Sequence, residues 1–120
     1  MTLPRLNLLV LRSMNPEETV CFYTKLGLQF QAEQHGRGPM HWAADVEGIV
    51  FEVYPAKDQA DVNCSTRLGF QVIDVAMVVN ALREAVQGNH SDVQQSPWGI
   101  RAVVCDPDGR RVELIQQTTQ

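Results

Sequence analysis

The sequence predicts an α+β fold made of two tandem βαβββ modules. The same order of elements, one helical pattern and four strand-like runs, occurs on both sides of a polar stretch at 55–65. A turn glycine also precedes a glutamate by four positions twice, at Gly48 to Glu52 and at Gly109 to Glu113. These observations indicate an internal repeat of about 60 residues. We therefore expect one domain over 1–120, with module 1 at about 4–54, a linker at 55–65 and module 2 at about 66–117.

The first module begins with an apolar run at 6–11, which is typical of a mostly buried strand. Asn15 is suited to cap a helix, Pro16 fits its first position, and Glu18 follows the cap by three residues. Gly27 predicts the end of this helix. The face expected to be buried consists of Thr19, Phe22, Tyr23 and Leu26. Three more strands are expected, at about 28–35, 39–46 and 48–54.

The second module repeats this pattern. It begins with a strand-like run at 67–73, after which Asp74 is suited to cap a second helix. Gly88 predicts where that helix ends. Its apolar stripe consists of Val75, Val78, Val79, Leu82 and Val86. Strands are then expected at 92–96, 99–105 and 110–116, with a turn at 106–109 between the last two.

Composition excludes several classes of protein. Ten Lys and Arg residues against 14 Asp and Glu residues give a net charge of −4, which argues against a nucleic-acid-binding protein. No apolar run is long enough to cross a membrane, and the first residues do not resemble a signal peptide. The three cysteines form no CxxC pair. We therefore expect a soluble cytoplasmic protein whose partner is neither a nucleic acid nor a membrane.

Ionisable residues are expected on the sheet face that the helices do not cover. Strand side chains alternate, so Phe51 and Val53 should point to a helix and Glu52 should point away. The same alternation places Arg67 and Glu113 on the uncovered face of the second module. Such groups either line a cleft or lie on a solvated surface.

At this point the sequence resembles a known family. Residues 22–28 read FYTKLGL, 51–54 read FEVY, 96–99 read SPWG and 105–115 read CDPDGRRVELI. These motifs resemble the vicinal oxygen chelate superfamily, which includes glyoxalases, bleomycin resistance proteins and extradiol dioxygenases. The resemblance implies paired βαβββ modules that form a curved, cup-shaped mixed sheet, with the helices on its convex face. It also implies a homodimer.

The resemblance further implies where a metal would lie. The ligand positions of the family's metal enzymes correspond to Leu8, Glu52, Arg67 and Glu113 in this chain. Leucine and a protonated guanidinium cannot bind a metal, so we expect no metal or other cofactor, although two carboxylates leave a divalent ion possible. Our hypothesis is that Arg67 takes the place of the metal between Glu52 and Glu113. A solvated Arg67 near two unrelated glutamates is the alternative.

Five further residues are candidates for ligand binding. Trp98 either stacks on a planar ligand or packs at the sheet edge. Tyr54 shares a face with Glu52, and either His41 or Trp42 must share it too, but alternation does not decide which. Arg101 fits a basic rim or a solvated surface.

Two functions follow from the resemblance and the missing histidines. The first is a metal-independent protein that binds a small amphipathic or aromatic compound in the cup, in the manner of bleomycin resistance proteins. The second is an enzyme of the glyoxalase class, similar to lactoylglutathione lyase or a related isomerase, or one similar to a dioxygenase, with a non-standard or absent metal. In the second function Glu52 or Glu113 is the base and Arg67 stabilises an enolate oxygen.

Overall fold

Each half of the chain contains one helix and one four-stranded mixed sheet, which confirms the prediction of tandem βαβββ modules. The computed structural model describes residues 3–83 and 91–117. The chain divides into two units, unit 1 (Met1–Asn63) and unit 2 (Cys64–Gln120). No helix in the described ranges has the length and apolar character needed to span a membrane.

Unit 1 contains four strands and one α-helix, in the order predicted. They are β1 (Leu8–Ser13), α1 (Pro16–Leu26), β2 (Phe30–Glu33), β3 (His41–Val46) and β4 (Ile49–Pro55). The strands are arranged β1-β4-β3-β2, with β1 parallel to β4 and the other pairs antiparallel. The central strands of this sheet are therefore β4 and β3.

Helix α1 begins and ends where its local chemistry predicts. The Asn15 side chain accepts a hydrogen bond from the Glu18 backbone N–H at 3.3 Å, and Pro16 occupies the first turn. Gly27 ends the helix with a φ of 130°, a conformation that favours glycine. The buried residues of α1 are Thr19, Phe22, Tyr23 and Leu26, as predicted.

The core of unit 1 lies between α1 and one face of its sheet. Phe51 and Val53 are 2% and 0% exposed, and the rings of Tyr23 and Phe51 lie 5.0 Å apart. Leu11 pairs with Val53 in the parallel ladder and is also fully buried. The alternation predicted for β4 is therefore the one observed, with Glu52 pointing away from α1.

The polar stretch after β4 contains more structure than a linker requires. It includes a short 3₁₀ turn at Gln59–Asp61, followed by Val62, which is 7% exposed. The Asn63 side chain accepts from the Arg12 backbone N–H at 2.8 Å and donates to the Val10 carbonyl at 3.1 Å. Its amide thus satisfies backbone groups on the free edge of β1.

Unit 2 repeats the topology of unit 1. Its elements are β5 (Leu68–Gln71), α2 (Val75–Arg83), β6 (Gln94–Ser96), β7 (Gly99–Cys105) and β8 (Arg111–Gln116). The strands are arranged β5-β8-β7-β6, with β5 parallel to β8. Asp74 caps α2 by accepting from the Met77 N–H at 3.1 Å. The predicted Val86 and Gly88 lie outside the described residues.

Several predicted strands extend beyond the observed ones, among them β2, β3 and β5. Strand β2 ends at Glu33 and β3 begins at His41, because 34–40 form a connecting loop held by local hydrogen bonds. In that loop Gly38 N–H donates to the His35 carbonyl at 3.0 Å, and the Gln34 amide donates to the Gly38 carbonyl at 3.0 Å. Strand β5 begins at Leu68, so Arg67 precedes the strand in which it was expected.

The turn between β7 and β8 is built around a buried arginine that the sequence pattern did not single out. The Arg110 side chain is fully buried and donates to Asp106 Oδ2 at 2.9 Å and to Asp108 Oδ2 at 3.0 Å. Asp106 Oδ1 also accepts from the backbone N–H groups of Asp108 and Arg110. Two carboxylates and one guanidinium therefore hold this turn together.

Replacing Arg110 by alanine should destabilise the protein strongly. The Arg110→Ala variant leaves the buried Asp106 carboxylate without this guanidinium, so we expect a loss of about 3–5 kcal/mol in the free energy of unfolding. Urea denaturation measures this change. The matched control is Arg111→Ala, at an exposed neighbour, which should change stability by less than about 0.5 kcal/mol. Equal losses in the two variants would contradict the role assigned to Arg110.

Candidate functional site

Polar residues of β2, β3 and β4 lie on the sheet face of unit 1 that points away from α1. We call this surface the distal face. Cross-strand partners share a face, and Ala43 pairs with Glu52 while Glu33 pairs with His41. His41 therefore lies on the distal face with Glu52, whereas Trp42 pairs with Val53 on the helix side. This register decides which residue of the pair His41 and Trp42 shares a face with Glu52.

His41 is the buried centre of this face. Its side chain is 1% exposed, and its ring stacks on Tyr54 with 4.2 Å between centroids and 7° between planes. Nδ1 lies 3.3 Å from the Pro39 carbonyl oxygen. Nε2 lies 3.4 Å from Glu33 Oε1 and 3.5 Å from Glu52 Oε2. Among the described residues, Nε2 has no hydrogen-bond partner.

The contact between His41 and the Pro39 carbonyl favours one tautomer of the ring. A carbonyl oxygen only accepts, so the contact with Pro39 is a hydrogen bond when Nδ1 carries the proton. In the neutral ring the lone pair of Nε2 then lies next to two carboxylates, which is an unfavourable arrangement in a buried site. A proton or a metal ion at Nε2 would remove that repulsion.

His35 lies at the solvent-exposed edge of the cluster formed with Glu33, His41 and Glu52. Its Nε2 lies 3.4 Å from the same Glu33 oxygen that approaches His41, and its side chain is 75% exposed. One ligand atom from each of Glu33, His35 and His41 lies within 4.8 Å of the other two. The expectation of no metal is therefore not confirmed, since these three residues offer a donor set of imidazole and carboxylate.

A cleft of about 510 Å³ adjoins this cluster and shares Glu33 with it. Its lining combines apolar side chains with two carboxylates and two amides. The lining residues are Gln29, Phe30, Gln31, Glu33, Ala43, Ala44, Asp45 and Val50. The volume falls in the range of small-molecule sites, and the carboxylates make the cleft negative.

In unit 2 the cation that contacts Glu113 is Arg101. Val103 pairs directly with Glu113, and Arg101 lies two residues earlier on the same face of β7, within diagonal reach. Its Nη2 donates to Glu113 Oε2, with side chains 33% and 40% exposed. Arg67, the residue that the sequence suggested for this contact, is exposed in the segment before β5. Its predicted place between Glu52 and Glu113 stays a prediction.

The remaining candidates have simpler surroundings. Leu8 is 49% exposed at the start of β1, and Trp98 is 73% exposed in the turn between β6 and β7. The Tyr54 ring stacks on the His41 ring. The Arg12 guanidinium carbon lies 5.5 Å from the centroid of the Tyr54 ring. Tyr54 is therefore part of the cluster on the distal face.

The four positions implied by the resemblance do not fit a transition metal. Leu8 has no donor atom, Arg67 stays protonated, and the Glu113 carboxylate is bonded by Arg101. The donors that do fit lie on the β2–β3 hairpin, at Glu33 and His35, which sequence reasoning missed. The available signal was the spacing of Glu33 and His35 within the predicted strand 28–35, because alternate residues of an extended chain share a face.

A sequence model of the family described as Glyoxalase/Bleomycin resistance protein/Dioxygenase superfamily matches residues 5–114. No curated protein matches the chain.

Solved structures with the same fold cover nearly the whole chain. TnmS3, an antibiotic binding protein from Streptomyces sp. CB03234, aligns with a TM-score of 0.73 at 23% identity, over 98% of this chain and 99% of that one. The bleomycin-binding protein of Streptomyces verticillus, in complex with copper(II)-bleomycin, gives 0.65 at 20% identity over 98% and 100%. A glyoxalase/bleomycin resistance protein/dioxygenase from Nocardioides gives 0.66 at 17% identity over 98% and 85%.

The stacking of Tyr54 on His41 should contribute measurably to stability. In Tyr54→Phe the ring remains, whereas Tyr54→Leu removes the aromatic surface from His41 and from Arg12. We expect Tyr54→Leu to be less stable than Tyr54→Phe by about 1 kcal/mol, the order of an aromatic pair beyond its buried area. Urea denaturation of the two variants measures the difference. Equal stabilities would show that the stack contributes nothing beyond burial.

Proposed function

The chain belongs to the Glyoxalase/Bleomycin resistance protein/Dioxygenase superfamily, and on that premise we propose that it is a small-molecule-binding protein whose ligand occupies the cleft on the distal face. The match confirms the resemblance predicted from the motifs at 22–28 and 105–115. The proposal includes binding without a metal at the family positions, since Leu8 and Arg67 supply no ligand atoms.

The composition of the cleft carries this proposal. Ala43 and Val50 provide apolar surface, and Glu33 and Asp45 place two carboxylates beside it. No Lys or Arg is among the lining residues. An apolar surface with negative charge favours an amphipathic or aromatic ligand that carries a positive charge. The net charge of −4 favours the same ligand class.

The structural neighbours support a binding function. TnmS3 is an antibiotic binding protein, and the Streptomyces verticillus protein binds bleomycin. Both share the fold of this chain, which makes an organic ligand of antibiotic type a reasonable first candidate. Because fold alone does not determine function, the weight of the proposal lies on the cleft.

The enzymatic alternative is less well supported by the geometry. It requires Glu52 or Glu113 as a base, but Glu113 accepts a bond from Arg101 and Glu52 lies beside His41 with a side chain that is 15% exposed. Arg101 thus engages the Glu113 carboxylate, and Glu52 lies largely shielded from solvent next to His41. We therefore propose binding without turnover.

Filling the cleft should weaken ligand binding. Ala43→Phe places a ring among the lining residues, so affinity for a ligand in the cleft should fall at least about tenfold, or roughly 1.4 kcal/mol. Saturable quenching of Trp fluorescence by metal-free bleomycin and by a panel of cationic aromatic amines measures the affinity. The matched control is Ala76→Phe, at an exposed position of α2, which should bind as wild type does. An affinity that Ala43→Phe leaves unchanged, or turnover of a bound compound, would contradict the proposal.

Removing one carboxylate should change charge selectivity more than folding. In the wild type, Asp45 Oδ1 accepts a hydrogen bond from the Gly48 N–H at 2.8 Å. Asp45→Asn keeps an oxygen that can accept this bond but removes a negative charge from the cleft. We expect weaker binding of cationic amines, unchanged binding of neutral analogues and a smaller dependence of affinity on salt. Titrations at two salt concentrations measure this. Glu47→Gln, in the same turn but outside the lining, is the control and should leave selectivity unchanged.

A further inference from the structure

We propose that Glu33, His35 and His41 form a binding site for a divalent transition metal ion, with Zn²⁺ as its representative. The site lies on the distal face at the β2–β3 hairpin. It uses none of the positions Leu8, Arg67 and Glu113, and it goes beyond the proposed binding function because the ion requires no organic ligand.

Two of the three distances between the donor atoms have the length expected for one bound ion, and the third, between the two imidazoles, is within 4.8 Å. Glu33 Oε1 lies 3.4 Å from His35 Nε2 and 3.4 Å from His41 Nε2. Tetrahedral zinc with bonds of about 2.0–2.1 Å to nitrogen and oxygen separates its ligand atoms by about 3.4 Å. The two contacts to Glu33 therefore have the length of edges of a coordination tetrahedron. Glu52 Oε2, at 3.5 Å from His41 Nε2, is in position to supply a fourth ligand.

His41 gives an independent reason to expect a cation. Its side chain is 1% exposed, and Nε2 has no hydrogen-bond partner in the described part of the chain. When Nδ1 carries the proton and donates to the Pro39 carbonyl, the lone pair of Nε2 is available, and two carboxylate oxygens lie 3.4 and 3.5 Å from that nitrogen. A buried acceptor without a partner is unfavourable, and a metal ion at this point would satisfy it together with both carboxylates.

The hydrogen-bonding surroundings of His41 resemble those of metal-bound histidines. A metal-bound histidine commonly donates its other ring N–H to a carbonyl, as Nδ1 does here to Pro39. The parallel Tyr54 ring at 4.2 Å fixes the plane of the imidazole. The exposed His35 leaves a path for an ion from solvent. Two imidazoles with one carboxylate are a ligand set that suits zinc and ferrous iron better than magnesium or calcium.

The alternative occupant of Nε2 is a proton. An imidazolium at His41 would form ion pairs with Glu33 and Glu52 and would need neither His35 nor a metal. The two cases differ in the role of His35, because only a metal site uses its nitrogen. This difference makes His35 the residue to test.

Calorimetric titration of the metal-free protein with Zn²⁺, at pH 7.5 and with the thiols alkylated, tests the proposal. Alkylation removes the exposed thiols of Cys21 and Cys64 as competing ligands. We expect one ion per chain, and binding that weakens as the pH is lowered because protons compete for the imidazoles. His35→Gln should weaken binding at least about tenfold, since loss of a ligand should cost no less than loss of a group that only orients a ligand.

A matched pair of variants tests the carboxylate. Glu33→Gln removes the shared ligand, whereas Glu17→Gln removes an exposed carboxylate in the first turn of α1. Of these two variants, only Glu33→Gln should weaken zinc binding. Because His35 is exposed, circular dichroism should show that His35→Gln folds as wild type does. In ¹⁵N NMR spectra the Nε2 signals of His35 and His41 should shift on zinc addition.

Equal affinity in wild type and His35→Gln would overturn the proposal. So would an absence of zinc binding together with ¹⁵N shifts that show His41 carrying protons on both nitrogens at pH 7.5. The titration contains no organic ligand, so its failure would leave the fluorescence test of the cleft unaffected. Failure of that test would in turn leave zinc binding unaffected.

Discussion

The register of β4 between β1 and β3 is the constraint on which unit 1 depends. It places Phe51 and Val53, 2% and 0% exposed, against α1, and it places Glu52 and Tyr54 on the opposite face. A slip of one residue would exchange these two sets and bury a carboxylate beneath the helix. The same alternation therefore stabilises the core and supplies the polar groups of the distal face. Any change that weakens the packing of Phe51 on Tyr23 acts on the candidate site as well.

The packing of β4 against α1 offsets the unfavourable electrostatics around His41. A buried imidazole whose Nε2 faces two carboxylates is unfavourable unless a cation is shared among them. The ring stays in place because the Glu33–His41 strand pair and the Tyr54 ring fix it from two directions. Sites of this kind are expected to be less stable locally than an apolar sheet face, and they persist where the surrounding structure determines them.

Features that depend on local chemistry could be predicted from the sequence, and features that depend on register between strands could not. Helix α1 follows from Asn15, Pro16 and Gly27, because capping and termination involve only neighbouring residues. The choice between His41 and Trp42 required the pairing of β3 with β4. Likewise, Arg101 contacts Glu113 because β7 and β8 pair in one particular register. Arg110 escaped notice because a charged residue after a turn gives no sign of burial.

The strand registers of the two units point to one shared requirement, a positive charge beside the glutamate of the last strand in each unit. Glu52 pairs with Ala43, and His41 lies two residues earlier on the same strand. Glu113 pairs with Val103, and Arg101 lies two residues earlier on its strand. The repeat thus places His41 and Arg101 at equivalent positions beside equivalent glutamates. In unit 2 the guanidinium is permanently charged and bonds the carboxylate directly. In unit 1 the imidazole meets the same requirement only after it gains a positive partner, and the additional donors Glu33 and His35 make a metal ion better suited to that position than a proton alone.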